Sequence, residues 1–145
     1  MAKLIATFII LTSLSVSAQE KPAFGEQRSE SGIRHSFLIT GNSTVIVSEN
    51  STVELDLKGN SRDGFVLPGG NVLVSMANVA KEIDPKTMQV VWSYRLATEN
   101  KELGTCVRLE NGNTLVVERG VKPRLLEIAP NGSVVVEVAL QPETD

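Results

Sequence analysis

Histidine and cysteine are nearly absent from this chain of 145 residues, which contains one of each, His35 and Cys106. Metal sites need several ligands, and the sequence offers no second histidine, no Cys-x-x-Cys pair and no acidic cluster with the spacing of a calcium loop. A lone cysteine also excludes a disulfide within the chain. The sequence therefore predicts no metal site and no bound cofactor, and it predicts that Cys106 is a small buried side chain in a strand.

An excess of positive charge is also missing. The chain has 14 Lys and Arg against 17 Asp and Glu, which gives a formal net charge of -3. A protein without a basic field attracts neither nucleic acid nor an anionic membrane surface. We therefore expect no nucleic-acid partner.

Long apolar runs are absent after the first eighteen residues. Within that stretch, the apolar run Leu4–Leu14 follows the basic Lys3 and precedes small residues ending at Ala18, which is the pattern of a secretory signal. A membrane anchor is the alternative, but the run is shorter than the roughly 20 apolar residues that a bilayer span needs. We therefore predict a signal peptide at residues 1–18, cleavage before Gln19, a polar linker at residues 19–33 and a periplasmic or extracellular protein. After cleavage we expect no contact with a membrane.

What the chain does contain is a repeat. The stretches Asp63–Tyr94 and Gly104–Glu137 carry the same parts in the same order, with Gly70 and Gly112 separated by 42 residues. The offset rises to 45 farther along, so three extra residues lie between the second and third strands of the later copy. A shorter copy lies upstream in Phe37–Leu57. Each copy reads as short strands rich in β-branched residues and joined by turns.

The turns are typical of antiparallel hairpins. Pro68-Gly69-Gly70-Asn71 and Glu110-Asn111-Gly112-Asn113 supply residues that accept a positive φ at low cost. Short strands with a period near forty predict an all-β fold built from propeller-type blades. We expect about three four-stranded antiparallel blades, at residues 34–60, 61–100 and 101–140. They would form an incomplete β-propeller over residues 34–145.

The motif Leu-Pro-x-Gly-Asn-x-Leu, followed by Glu-Ile-Asp-Pro-x-Thr-x-x-Val-Val-Trp-x-Tyr, resembles the blade of PQQ-like and arylsulfotransferase-like β-propellers. The resemblance covers roughly Arg34 to Leu140, and such repeats are common in secreted bacterial proteins, including those of planctomycetes. Its motifs specify a blade and no activity. Members of this group usually have six to eight blades, so the chain is much shorter than they are.

The sequence offers few candidates for catalysis. The resemblance implies that a catalytic propeller of the arylsulfotransferase type would use a histidine with arginines at its centre, which here could only be His35 with Arg34 and Arg62. A surface position at a strand end is the simpler interpretation of His35. Trp92 and Tyr94 could stack on a sugar or a quinone, but their alternation in a strand favours packing between blades. We assign no catalytic, cofactor-binding or metal-binding residue.

Polar residues at the start of two repeats are the remaining candidates for a ligand site. Arg62, Asp63 and Glu102 precede or begin the first strand of their repeats, where the strand entry would lie at one rim of a propeller. Local pairing of these charges is the alternative interpretation, and the sequence favours it.

About three blades cannot close a ring, so we expect uncovered apolar surface on the outer faces of the first and last blades. The chain could be part of a longer propeller, which we favour, or it could associate with itself or with another propeller chain. The leading functional hypothesis is an exported, non-catalytic binding or scaffold module. The alternative is a remnant or subunit of a PQQ-dependent quinoprotein or of an arylsulfotransferase-like enzyme.

Overall fold

Eleven β-strands make up the fold in a computed structural model that describes residues 24–141. No helix occurs in this range, and none of the described residues forms a helix that could cross a membrane. The predicted signal peptide and the first part of the predicted linker lie outside the described residues. The strands are β1 (Phe37–Ile39), β2 (Val45–Val47), β3 (Val53–Asp56), β4 (Asp63–Val66), β5 (Val72–Ser75), β6 (Val79–Ile83), β7 (Val90–Arg95), β8 (Asn100–Arg108), β9 (Thr114–Gly120), β10 (Arg124–Ile128) and β11 (Val134–Ala139).

The strands form three sheets, and within each sheet the spatial order follows the order along the chain. The first sheet contains β1 to β3, the second β4 to β7 and the third β8 to β11, with every neighbouring pair antiparallel. The prediction of an all-β fold is therefore confirmed, as is the prediction that Asp63–Tyr94 and Gly104–Glu137 form two similar meanders. None of the sheets closes on itself.

The prediction of four strands in every blade is wrong for the first sheet, which has three. After β3 the chain leaves the sheet at once, because Lys58 and Gly59 both take a positive φ, of 45° and 146°. Residues 57–62 then carry the chain across to the second sheet. The crossing is held by a hydrogen bond of 2.7 Å between the buried hydroxyls of Thr44 and Ser61. The β2–β3 pairing has the same register shift as the β6–β7 pairing, so the three strands correspond to β5, β6 and β7, and the first sheet lacks an equivalent of β4.

The predicted hairpin turns are present in matching form. In the second sheet the Leu67 N–H donates to the Asn71 carbonyl at 2.8 Å, and Gly70 has a φ of 89°. In the third sheet the Leu109 N–H donates to the Asn113 carbonyl at 2.8 Å, and Gly112 has a φ of 84°. A residue with a side chain would be strained at either glycine, so the two glycines direct the strands back along the same path.

The second sheet is covered on both faces, which places the core between sheets. Side chains alternate along β5, so Val72 and Val74 face one way and Leu73 the other. The cluster that the second sheet shares with the first is made of Leu55, Val72, Val74 and Ile83. The cluster that it shares with the third is made of Leu73, Ala80, Trp92, Leu103, Cys106, Val116, Leu126 and Ile128. Each sheet thus buries its apolar side chains against the next.

The two ends of this stack differ. In the third sheet all six residues of β11 are exposed, among them Val136 and Val138. In the first sheet, by contrast, Val45 and Val47 of β2 are only 5% and 1% exposed. The expected uncovered surface is therefore found on the third sheet and is not found at β2 of the first.

We expect the packing between the second and third sheets to contribute strongly to stability. Replacing Trp92, which is 9% exposed, by alanine removes a large side chain from this interface and should lower the free energy of unfolding by about 3–5 kcal/mol. The measurement is urea-induced unfolding followed by circular dichroism. Val91→Ala on the same strand, where the side chain is 54% exposed, is the control and should change it by about 0.5 kcal/mol or less. Equal effects from the two variants would contradict this packing.

Candidate functional site

The histidine–arginine grouping implied by the family resemblance is not assembled in the described residues. His35 is exposed before β1, and only its backbone is engaged, through Gln27: the His35 N–H donates to Gln27 Oε1 at 3.0 Å, and the His35 carbonyl accepts from Gln27 Nε2 at 2.9 Å. No hydrogen bond or ion pair between residues 24 and 141 links His35 to Arg34 or Arg62. His35 therefore occupies the surface position that the sequence favours.

Arg62, Asp63 and Glu102 do come together, at the junction of the second and third sheets. The Arg62 guanidinium pairs with the Glu102 carboxylate, and Arg119 approaches the other oxygen of that carboxylate at 3.5 Å. The hydroxyl of Thr105 donates to Asp63. These charges are engaged with partners across the sheet junction, as the local-pairing interpretation predicts.

The three extra residues of the third repeat lengthen its β9–β10 hairpin. In the second sheet Ser75 pairs with Ala80, whereas in the third Val117 pairs with Leu125, so the longer connection lies where the sequence placed it. On the other side of β9, its pairing with β8 also extends beyond Val117, until Asn100 pairs with Gly120. The extra length gives the third sheet an end that the second sheet lacks.

A buried carboxylate lies in this extended end. The side chain of Glu118 is 0% exposed. It accepts hydrogen bonds from the Tyr94 hydroxyl at 2.7 Å, the Ala97 N–H at 2.9 Å, Asn100 Nδ2 at 2.7 Å and Arg124 Nε at 2.8 Å. Two of its donors belong to β7 and to the connection between the sheets, so Glu118 ties the second sheet to the third.

The electrostatics of this cluster follow from its hydrogen bonds. Burial by itself would raise the pKa of Glu118, but the bonds from Arg124, Tyr94, Ala97 and Asn100 outweigh burial and lower the pKa to about 2. Burial and the hydrogen bond to Glu118 raise the pKa of Tyr94 well above its usual value. The hydrogen bond to Glu118 is the main reason that the pKa of Arg124 is raised. The cluster is therefore an ionised pair with neutral donors around it, and it has no free base.

A cleft of about 560 Å³ opens beside the Glu118 cluster. Its walls come from the ends of β8, β9 and β11 and from the β9–β10 turn. It is lined by Lys101, Glu102, Val117, Glu118, Arg119, Gly120, Val121, Pro123, Leu140 and Gln141. Gly120 has a φ of 145°, and a Cβ there would lie 2.5 Å from the Lys101 backbone nitrogen, so the cleft wall requires glycine at this position. The lining combines charged side chains, of which Glu102 and Glu118 are already paired, with apolar ones.

The remaining candidates from the sequence lie in the core between the second and third sheets. Cys106 is buried, and burial raises the pKa of its thiol to about 12, so it is not a reactive nucleophile. Trp92 is covered on one side by the Arg108 guanidinium, 5.6 Å from the ring centroid. Tyr94 is bound to Glu118. Neither aromatic ring is free to stack on a ligand, and no group of three or more His, Cys, Asp or Glu residues within residues 24–141 could hold a metal.

An ion pair completes the junction at the opposite end of the sheets. Arg108 Nη2 of the third sheet lies 2.5 Å from Glu82 Oε2 of the second, and Arg108 Nη1 donates to the Gly112 carbonyl at 3.0 Å. The other oxygen of Glu82 accepts from Asn71 Nδ2 at 2.7 Å. Glu82 and Arg108 thus connect the outer part of one sheet to the first strand of the next.

Sequence reasoning missed both carboxylates. Glu118 shares its face of β9 with the buried Thr114 and Val116, and this alternation marks it as a buried acid that needs a cation. Glu82 recurs as Glu127 in the next repeat, and that recurrence is the signal that could have identified it.

We expect Glu118→Gln to lower the free energy of unfolding by about 3 kcal/mol at pH 7, which is the value of a pKa shift from 4.5 to about 2. Because the pKa is depressed in the folded state, this contribution is complete above the pKa of the unfolded chain and disappears as pH falls toward 2. The difference between wild type and variant should therefore shrink between about pH 5 and pH 2. Urea unfolding across this range is the measurement.

Glu110→Gln, at an exposed turn of the same sheet, is the control and should follow the wild type at each pH. A gap between wild type and Glu118→Gln that stays constant down to pH 2 would mean that Glu118 is not held ionised in the folded protein.

No protein-family model matches the chain, and no curated protein matches it at a significant level. Among solved structures, the chain is similar to a crystal structure of a protein of unknown function from Bacteroides caccae, with a TM-score of 0.62 and 19% identity. The similarity covers 73% of this chain and 40% of that one, so the chain spans about 40% of the length of the protein that it resembles. At this level of identity the similarity concerns the fold alone.

Proposed function

We propose that this chain is an exported protein of propeller-type repeats that acts as a non-catalytic binding or scaffold module. The observation that carries the proposal is the stack of repeated sheets, in which the second sheet is covered on both faces and the third presents an apolar face with no sheet against it. A surface of this kind binds by extending a packing pattern already present in the molecule.

The propeller-type arrangement is supported by the order in which the sheets meet. The first strand of each later sheet lies against the sheet before it, β4 against β1 and β8 against both β4 and β5. At the first of these junctions the position of Gly64 is so close to its neighbour that a Cβ would lie 3.0 Å from Leu38 Cδ2. First strands that lie against the preceding sheet, with later strands farther out, are what blades around a common axis require.

A binding role is supported over catalysis by the state of the charged groups. In the Glu118 cluster every donor is directed at the carboxylate, which leaves no general base with a pKa near neutrality. At the Arg62–Glu102 junction the charges are paired across the sheets. Such groups position sheets and the walls of the cleft, and they do not move protons.

The non-catalytic role is tested by assaying the mature chain for the cofactor binding and the turnover that the alternative function requires. We expect no uptake of PQQ by equilibrium dialysis, and no reduction of a redox dye when an alcohol or a sugar is added. We also expect no transfer of a sulfuryl group from an aryl sulfate to an acceptor phenol. Turnover in either assay that disappears in His35→Ala, while the unfolding midpoint stays unchanged, would overturn the proposal in favour of the quinoprotein or sulfotransferase alternative.

Export is tested by fusing residues 1–20 to a phosphatase that folds only where its disulfides can form. We expect phosphatase activity outside the cytoplasm, and we expect mass spectrometry of the secreted chain to find Gln19 at its N-terminus. Ile9→Lys interrupts the apolar run and should abolish export, whereas Glu20→Gln beyond the cleavage site should leave it unchanged. Retention of the wild-type fusion in the cytoplasm would contradict the predicted location.

A further inference from the structure

The open face of the third sheet repeats, position by position, the covered face of the second. In the second sheet one row across the strands is Phe65–Leu73–Glu82–Trp92. In the third sheet the same row is Val107–Leu115–Glu127–Val136. In the neighbouring row of the second sheet Ala80 pairs with Tyr94. The equivalent pair in the third sheet is Leu125 with Val138. Equivalent positions therefore point in the same direction along the stack.

The burial of the two rows differs because only one has a sheet against it. Leu73 is 0% and Trp92 is 9% exposed beneath the third sheet. Their counterparts are less buried: Leu115 is half-buried and Val136 is 43% exposed, although Phe65 at one end of the covered row is itself 39% exposed. The third sheet thus presents the surface that an adjoining sheet would bury. We call it the forward face, and it consists of Leu115, Val117, Leu125, Glu127, Val136 and Val138.

A carboxylate on the forward face indicates the chemistry of a sheet that would bind there. In the covered row, one carboxylate oxygen of Glu82 accepts a hydrogen bond from Asn71, and the other pairs with the Arg108 guanidinium of the next sheet. Glu127 repeats the first half of this arrangement, since it accepts from Asn113 Nδ2 at 2.6 Å and from Asn111 Nδ2 at 3.0 Å. Both bonds go to one oxygen, and between residues 24 and 141 no cation pairs with Glu127.

We propose that the forward face binds a four-stranded sheet of another polypeptide, and that this sheet ends its first strand with an arginine that pairs with Glu127 as Arg108 pairs with Glu82. The inference deepens the proposed binding function and rests on it. The apolar rows provide most of the buried contact area. The guanidinium–carboxylate pair determines the orientation of the partner sheet.

A second copy of this chain does not fit the same position. The residue equivalent to Arg108 in the second sheet is Val66, which pairs with Val72, and the first sheet lacks the strand that would carry an equivalent. Val66 has no charge, and Arg108 itself is engaged with Glu82 inside its own chain. The first sheet, which a head-to-tail copy would present, already has Val45 and Val47 buried. The partner must therefore bring its own arginine.

The test uses the mature full chain, labelled with 15N and 13C on valine and leucine, and a synthetic hairpin peptide with the sequence of residues 100–120, kept reduced. This peptide carries Arg108 at the end of its first strand and so presents the surface expected of the partner. We expect chemical-shift changes at Leu115, Leu125, Val136 and Val138. We also expect binding to weaken about tenfold when Glu127→Gln is made in the chain or Arg108→Met in the peptide.

A double-mutant cycle links the two groups, because Arg108→Met in the peptide should cost little against the Glu127→Gln chain. Glu110→Gln in the chain is the control and should bind like the wild type. Since Glu127 and Glu110 are not in the core, neither variant should change the unfolding midpoint. Val138→Lys provides a second variant. It places a charge on the exposed edge strand within the forward face, so it should abolish the chemical-shift changes.

Three results would overturn the proposal. The first is no shift on the forward face at millimolar peptide, and the second is binding that Glu127→Gln leaves unchanged. The third is a dimer of the mature chain in light scattering that Val138→Lys converts to monomer, because a second copy would then cover the face. Each of these leaves the tests of turnover and export untouched, so failure of this inference is distinguishable from failure of the proposed function.

Discussion

Burial of one sheet face against the next is the constraint on which this structure depends. A sheet of short strands has two faces, and a strand such as β5, with Val72, Leu73 and Val74 all buried, is stable in water only when both faces are covered. The second sheet satisfies this condition because it lies between the other two. The apolar side chains of the core thus belong to junctions between sheets, and no sheet has a core of its own.

Polar groups at the junctions define how one sheet is aligned against the next, which apolar packing alone does not. Val, Leu and Ile surfaces tolerate small shifts against each other, whereas a buried carboxylate with four donors at 2.7–2.9 Å does not. Glu118 anchors one end of the junction between the second and third sheets, and the Glu82–Arg108 pair anchors the other. Removing one partner would leave a charge out of water without compensation, which is why such pairs hold the sheets in register.

The repeat made the strands and turns predictable, because their signals are local. Alternation and glycine position are enough to place β4 to β7, and the left-handed conformation at Gly70 and Gly112 follows from the turn that those strands need. The Glu118 cluster was not predictable in the same way. Its donors Tyr94 and Arg124 come from different sheets, and only the folded backbone shows that they meet. The shorter first copy was recognisable from the same local signals, although the expectation of four strands in each blade did not take its three strands into account.

The extension of the third repeat shows how a conserved packing scheme can still produce a local site within one chain. Three additional residues lengthen the β9–β10 hairpin without disturbing the rows that face the second sheet, because the insertion lies beyond the pairing of Val117 with Leu125. The lengthened strands carry Glu118 inward and leave a cleft beside it. The same insertion therefore strengthens the junction and creates the cleft. A ligand in the cleft would contact residues that hold the second and third sheets together. All residues that line the cleft belong to the third sheet and its connections, so a ligand bound there would stabilise the folded third sheet by mass action.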